Sequence, residues 1–257
     1  MLKKELPIGV FDSGIGGLSV LRHAVSVLPN EDFIFYGDNK NAPYGTRSEE
    51  EIKELSLECC RFLYDKGVKA IVMACNTATS ASVKLMRELF GLPVISIEPA
   101  VKPAYENKKD GKIIVMATPA TISQSRYKEL CKRVGCAESV IDIPCNGLVE
   151  LLEDGDFEKP QIDDYIRNKF NDITDSKIDG IVMGCTHYSF ISEKIRSIAQ
   201  EMFEGELTIY DGMYGMVRQL KRILEQDNLL RENGNGIIEY YSSKEDCIDI
   251  FKKIMHA

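Results

Sequence analysis

Residues 70–77, A-I-V-M-A-C-N-T, and residues 180–187, G-I-V-M-G-C-T-H, are two versions of one stretch set 110 residues apart. In each, an apolar run of strand length stops at a small residue, and a cysteine and two small or polar hydrogen-bonding residues follow. Short apolar runs of this kind, rich in β-branched residues, read as buried strands of a parallel sheet. The chain thus builds one kind of strand end twice, each time with a thiol just beyond it.

Outward from residues 70–77 the alternation of strand and helix continues. Ile8–Phe11 is a strand candidate, followed by the turn D-S-G-I-G-G at 12–17 and a helical pattern through Leu18, Leu21, Val25 and Leu28. A strand passing through a glycine-rich turn into a helix aims backbone amides at the space beyond its end, which suits a carboxylate or a phosphate. The spacing is neither the dinucleotide fingerprint nor a Walker loop. Asp12 at this place reads equally well as a helix cap. Phe33–Tyr36 is a second strand, followed by a loop with P-Y-G-T-R-S at 43–48, where Ser48 and Glu51 form a capping box for a helix running to about Asp65. Val68–Ala74 and Pro93–Ile97 are the third and fourth strands, with a helix over Ala78–Phe90 between them.

The plan then restarts. Lys112–Met116 reads as a strand ending on A-T-P-A-T at 117–121, and Ile181–Met183 ends on Gly184-Cys185. Asp12 precedes Cys75 by 63 residues, and Thr118 precedes Cys185 by 67. This repetition predicts an α/β fold of two pseudo-symmetric domains, with mainly parallel sheets flanked by helices and an active site in the cleft where strand carboxyl ends meet. One domain is expected over 1–98 plus 210–257, with a strand at Ile237–Tyr241 and a closing helix at Lys244–Ile254; the other is expected over 99–209. The tail is expected to complete the first domain with no chemistry of its own. The acidic stretch at Glu150, Glu153, Asp154 and Asp156 reads, by its residues alone, as a solvated helix end.

Composition narrows the function. A net charge of −8 over 257 residues, without a basic stripe, argues against direct nucleic-acid binding. The N-terminus has no apolar run of signal-peptide length, and no stretch approaches the roughly 18–20 apolar residues of a membrane helix; a cytoplasmic protein with no membrane partner is expected. The eight cysteines include no C-x-x-C pair and no zinc spacing, so reduced thiols and no metal are expected.

A thiol titrating near about pH 8.5 needs only modest help from helix amides to ionise at neutral pH. Acyl transfer would want a base attached to a single thiol, and of three histidines only His187 lies near a strand end, His23 falling inside the first helix and His256 being penultimate. Two thiols from opposing halves suit a different task, the inversion of a stereocentre. One removes a proton, the other returns one on the opposite face, and the roles exchange in reverse. Ser13, Asn76, Thr77, Thr118, Thr121 and Thr186 can hold carboxylate groups of a small substrate while charge grows at its α-carbon. Asp12 and His187 stand beside the thiols as acid–base groups.

F-D-S-G-I-G-G-L at 11–18, Y-G-D at 36–38, P-Y-G-T-R-S at 43–48, A-C-N-T-A-T at 74–79, T-P-A-T at 118–121 and G-C-T-H-Y at 184–188 together resemble the bacterial glutamate racemases over nearly the whole chain. The resemblance implies a cofactor-independent isomerase, free of pyridoxal phosphate, that interconverts L- and D-glutamate by two-base proton transfer and supplies the D-isomer for peptidoglycan. It implies that Cys75 takes the α-proton from D-glutamate and Cys185 from L-glutamate, with Asp12 and His187 as flanking acid–base residues. Ser13, Tyr44, Gly45, Asn76, Thr77 and Thr186 match the family's substrate-binding positions, and Pro43, Thr118, Thr121 and His187 belong to the same expected set. L-E-D-G at 152–155 is similar to a V-E-E-G-like segment of the family, and the resemblance makes Glu153 a further catalytic candidate. His187 separates this chain from related aspartate racemases, which usually carry an acid there. A homodimer is implied. Asn146 and Glu150 stand where the family usually has prolines, and Asp211-Gly212 stands for its Asp-Ser. The alternatives are a racemase of aspartate or of several amino acids, or a family member with an added gyrase-binding regulatory role.

Overall fold

In the computed structural model, which describes residues 3–175 and 177–256, the apolar runs become strands buried along their length. β1 (Ile8–Asp12) and β3 (Ala70–Met73) have no exposed residue, the pattern of strands covered on both faces. With β2 (Phe33–Gly37), β4 (Val94–Ser96) and, from the far end of the chain, Ile238–Ser242 (β9 once the intervening strands are counted), they form a five-stranded sheet. The other four strands are β5 (Lys112–Ala117), β6 (Val140–Pro144), β7 (Ile178–Gly184) and β8 (Thr208–Asp211). They form a second sheet, and every pairing in both sheets is parallel.

The sheet orders are β4-β3-β1-β2-β9 and β6-β5-β7-β8. If β5 to β8 are the counterparts of β1 to β4, the second order is the first without β9: the third strand beside the first, the fourth outside it, the second on the other flank. Register carries the equivalence to the strand ends. Phe11 pairs with Met73, so Asp12 and the chain beyond Met73 leave the first sheet side by side. Ala117 pairs with Gly184, so Thr118 and Cys185 leave the second sheet in the same way.

Helices cover both faces of each sheet. Gly17–Val27, Gly212–Gln226 and Ile248–His256 put Leu18, Leu21, Val217, Leu220 and Phe251 against one face of the first sheet, and Glu49–Asp65 with Asn76–Leu89 put Ile52, Leu63, Val83 and Met86 against the other. Each such side chain, fully buried, contributes about 1.5–3 kcal/mol. In the second sheet Pro160–Asn171 and Ser192–Met202 cover one face, and Val101–Asn107 with Ser125–Val134 the other.

Several boundaries differ from expectation for physical reasons. The Ser48–Glu51 capping box is present. The closing helix begins only at Ile248, because Glu245–Cys247 form a 3-10 turn first. β6 and β8 are not expected from sequence: β6 is interrupted by Asp142 and ends on Pro144, and β8 is four residues long with only Ile209 and Tyr210 apolar. Tyr210 and Asp211, placed with the first domain by sequence, pair with Val182 and Met183 of β7.

Candidate active site

Cys75 is the N-cap of helix Asn76–Leu89, and its sulfur accepts the Ala78 amide at 3.4 Å. Ser13 Oγ lies 3.3 Å from the same sulfur. Burial pushes the Cys75 thiol up to about 12, and the Asp12 charge acts in the same direction, so at neutral pH this sulfur holds its proton. Asp12, at the end of β1, is fully buried. Its Oδ1 accepts the Gly14 amide at 3.0 Å and its Oδ2 the Thr186 hydroxyl at 3.1 Å. Burial raises its carboxyl from 3.8 to about 6 against the opposing influence of His187. The capping alternative does not hold: the N-cap of helix Gly17–Val27 is Gly16.

Cys185 stands at the equivalent place after β7, ahead of the 3-10 turn Thr186–Ile191. Its sulfur is 3.7 Å from His187 Nδ1, and His187 Nε2 is 2.5 Å from Glu153 Oε2. Burial alone would lower the His187 pKa, but the contacts with Cys185 and Glu153 outweigh it and hold the ring well above the ordinary imidazole value. The protonated form of the ring is thus favoured, with one nitrogen toward a sulfur and the other toward a carboxylate. Glu153 follows the short helix Leu148–Leu152 and reaches across to the first half, where its Oε1 accepts the Asn39 side-chain amide at 2.6 Å and the Ile15 N–H at 3.3 Å. The two thiols are thus equivalent in topology and opposite in surroundings, Cys75 beside a carboxylate and Cys185 beside a cation.

Both thiols line one tight cavity of about 10 Å³, together with Ser13, Pro43, Tyr44, Gly45, Asn76, Thr77, Thr118, Val149, Thr186 and His187. The Asn76 side chain is 3% exposed, and neither its nitrogen nor its oxygen has a hydrogen-bond partner among the described residues. Within the cavity this leaves a buried donor and a buried acceptor open to a polar ligand. Tyr44 is held from behind, its hydroxyl donating to Asp38 at 2.6 Å.

Residues 8–220 match the model of the Asp/Glu/hydantoin racemase family. The chain belongs to this family. It is 46% identical to the glutamate racemase of Clostridium botulinum strain Loch Maree over 255 residues, 98% of each chain. It is equally 46% identical to the glutamate racemase of Clostridium perfringens, covering 98% of this chain and 97% of the relative. Among solved structures, a Bacillus anthracis glutamate racemase isoform is 30% identical with a TM-score of 0.85, over 98% of this chain and 92% of that one. The Francisella tularensis glutamate racemase, in complex with D-glutamate, is 28% identical with a TM-score of 0.82, over 99% and 95%.

Of the site residues that sequence proposes for this family member, most line the cavity, but three stand behind it. Thr121 is completely buried, and its hydroxyl meets those of Thr77 at 3.1 Å and Thr118 at 3.0 Å. Asp12 and Glu153 reach the cavity through Thr186 and His187. Sequence reasoning passed over Val149, an apolar residue inside a helical pattern, and Asn39, a polar residue at a strand end directly after Y-G-D.

Glycines allow the two halves to meet. A Cβ on Gly45 would sit 2.8 Å from Thr118 Cβ, and one on Gly16 would overlap Thr186 Oγ1 and His187 Nδ1. Gly16→Ala should therefore displace His187 from Cys185. A fall in turnover of between about ten- and a hundredfold, the scale of a misplaced catalytic group, is expected in a steady-state assay, with far-ultraviolet circular dichroism unchanged. Full activity in this variant would show that the contact between Gly16 and His187 is dispensable.

Proposed function

We propose that this chain interconverts L- and D-glutamate, with Cys75 and Cys185 as the two bases. The observation that carries the reading is the pair of thiols, one from each sheet at equivalent strand ends, lining one cavity with opposite electrostatic partners. The glutamate assignment follows the relatives, one of which was solved with D-glutamate.

From L-glutamate, Cys185 removes the α-proton with the imidazolium N–H of His187 against its sulfur, and Cys75, held protonated by burial, delivers its proton to the opposite face. In reverse Cys75 must carry the charge. Asp12, raised to about 6, takes up a proton more readily than an ordinary aspartate and then no longer opposes that charge. The Asn76 amide, which has no partner among the described residues, and the Thr77 hydroxyl are the donors for the substrate's carboxylates, the Thr186 proton being given to Asp12, and the amides opening helix Asn76–Leu89 stabilise the growing negative charge. The cavity's closure excludes water that would compete for the carbanion.

No helix among the described residues is long and apolar enough to cross a membrane. A cytoplasmic homodimer that supplies D-glutamate to the cell wall completes the proposal. Incubation with L-glutamate in deuterated water should give inversion together with deuterium at Cα. A folded protein that produces neither overturns the reading, and faster turnover of aspartate than of glutamate overturns the choice of substrate.

A further inference from the structure

Four contacts run in series from the last strand to one thiol. Ser242, at the end of β9, accepts the Lys244 backbone amide at 3.0 Å, so its own hydroxyl proton is free to donate to Asn39 Oδ1, 2.9 Å away. This fixes which way the Asn39 amide faces. Its Nδ2 then donates to Glu153 Oε1 at 2.6 Å, Glu153 Oε2 meets His187 Nε2 at 2.5 Å, and His187 Nδ1 stands 3.7 Å from the Cys185 sulfur. Gly37 leaves the space that the Asn39 carbonyl occupies, since a Cβ there would lie 2.7 Å from Asn39 Oδ1.

We propose that Asn39 is a positioning residue for proton transfer at Cys185, holding the Glu153 carboxylate so that His187 keeps its second N–H on that sulfur. Glu153 needs holding. It lies just past a helix of five residues, its side chain is 23% exposed, and without Asn39 its Oε1 keeps only the longer 3.3 Å contact with the Ile15 amide. Hydrogen-bonded chains of this kind lock the orientation of each member through the next. The relay ends on one thiol. Cys75 is held instead by Ser13 and the Ala78 amide, so loss of Asn39 should affect one half of a symmetric-looking site and spare the other.

The kinetic part of this inference rests on the racemase reading above; the thiol part does not. Two variants test it: Asn39→Leu, which keeps volume and removes the donor, and Ser242→Ala, which leaves Asn39 in place and frees its amide to turn. The first readout is alkylation by iodoacetamide, mapped to Cys185 and Cys75 by peptide mass. In Asn39→Leu the Cys185 rate should fall about tenfold, the scale of one hydrogen bond to a charged group, with the Cys75 rate unchanged; Ser242→Ala should move it the same way by a smaller factor. The second readout is the primary deuterium isotope effect on each enantiomer. Because the equilibrium constant of a racemisation is unity, kcat/KM falls equally in both directions and only isotope effects show which transfer has slowed. The effect with α-deuterated L-glutamate should rise in Asn39→Leu and that with α-deuterated D-glutamate should not. An unchanged alkylation ratio in both variants, or isotope effects rising together, overturns the proposal. If the parent protein fails to racemise glutamate but its Cys185 alkylation depends on Asn39, the racemase reading fails and the positioning role stands.

Discussion

Cys75→Ala and Cys185→Ala are each expected to lower racemisation of both enantiomers by about 10³-fold or more, within the range that general acid–base groups contribute. The loss is the same in either direction because every inversion uses both thiols, one as base and the other as acid. Folding should survive: each side chain is a small, nearly buried group, 5% and 8% exposed, and deleting one sulfur leaves a void worth about 1 kcal/mol. Racemisation is read by chiral chromatography, α-deuterium exchange by mass spectrometry, and folding by the thermal midpoint. Exchange without inversion is the informative remainder. In Cys185→Ala, the surviving Cys75 can wash out only the α-hydrogen of the enantiomer that faces it, D-glutamate, and Cys75→Ala should show the converse with L-glutamate. Turnover within tenfold of the parent in either variant would sink the two-base assignment.

The thiol pair was readable from sequence because its signal is local and repeated: a buried apolar run, a small residue, then cysteine, at 70–77 and again at 180–187. The central strands were readable for the same reason. Of the four edge strands, β4 and β9 were readable and β6 and β8 were not: β6 is interrupted by Asp142 and ends on Pro144, and β8 has only Ile209 and Tyr210 between Thr208 and Asp211. Glu153 marks the limit of residue-level reading. By composition it belongs to a solvated acidic helix end, and only the family resemblance drew attention to it; its partners, Asn39 and His187, lie 114 and 34 residues away in sequence. Ser242 is more remote still, 203 residues from Asn39. The tail was expected to bring no chemistry. Strand β9 sets the Ser242 hydroxyl 2.9 Å from Asn39 Oδ1, a contact between segments whose adjacency is set by the sheet order and not by any local pattern.

Asp12→Asn is expected to make the protein more stable and less active at once. The Asp12 carboxyl binds its proton more tightly when folded, at about 6, than at its ordinary value of 3.8, because burial penalises the charge. The folded state therefore holds a proton that the unfolded chain has released over that window, and stability is lost as pH rises from about 4 to about 6. A shift of this size corresponds to about 3 kcal/mol. Asparagine stays neutral at every pH, keeps a carbonyl for the Gly14 amide and can turn its NH₂ to the Thr186 hydroxyl, so it retains the local hydrogen bonds and escapes the penalty. Urea unfolding should show the variant more stable by about 2–3 kcal/mol near neutral pH, with the difference closing below about pH 4. Activity should move the other way. Asparagine cannot take up the proton that Cys75 must give up before it acts as a base, and kcat should fall by about 10²-fold. A variant no more stable than the parent at neutral pH would show that Asp12 carries no buried-charge penalty. If the variant were instead both stabilised and fully active, the carboxyl would have no part in the exchange of roles between the thiols, and a group held in a costly state for no function is hard to reconcile with a site in which the other buried charge, on His187, is matched by Glu153.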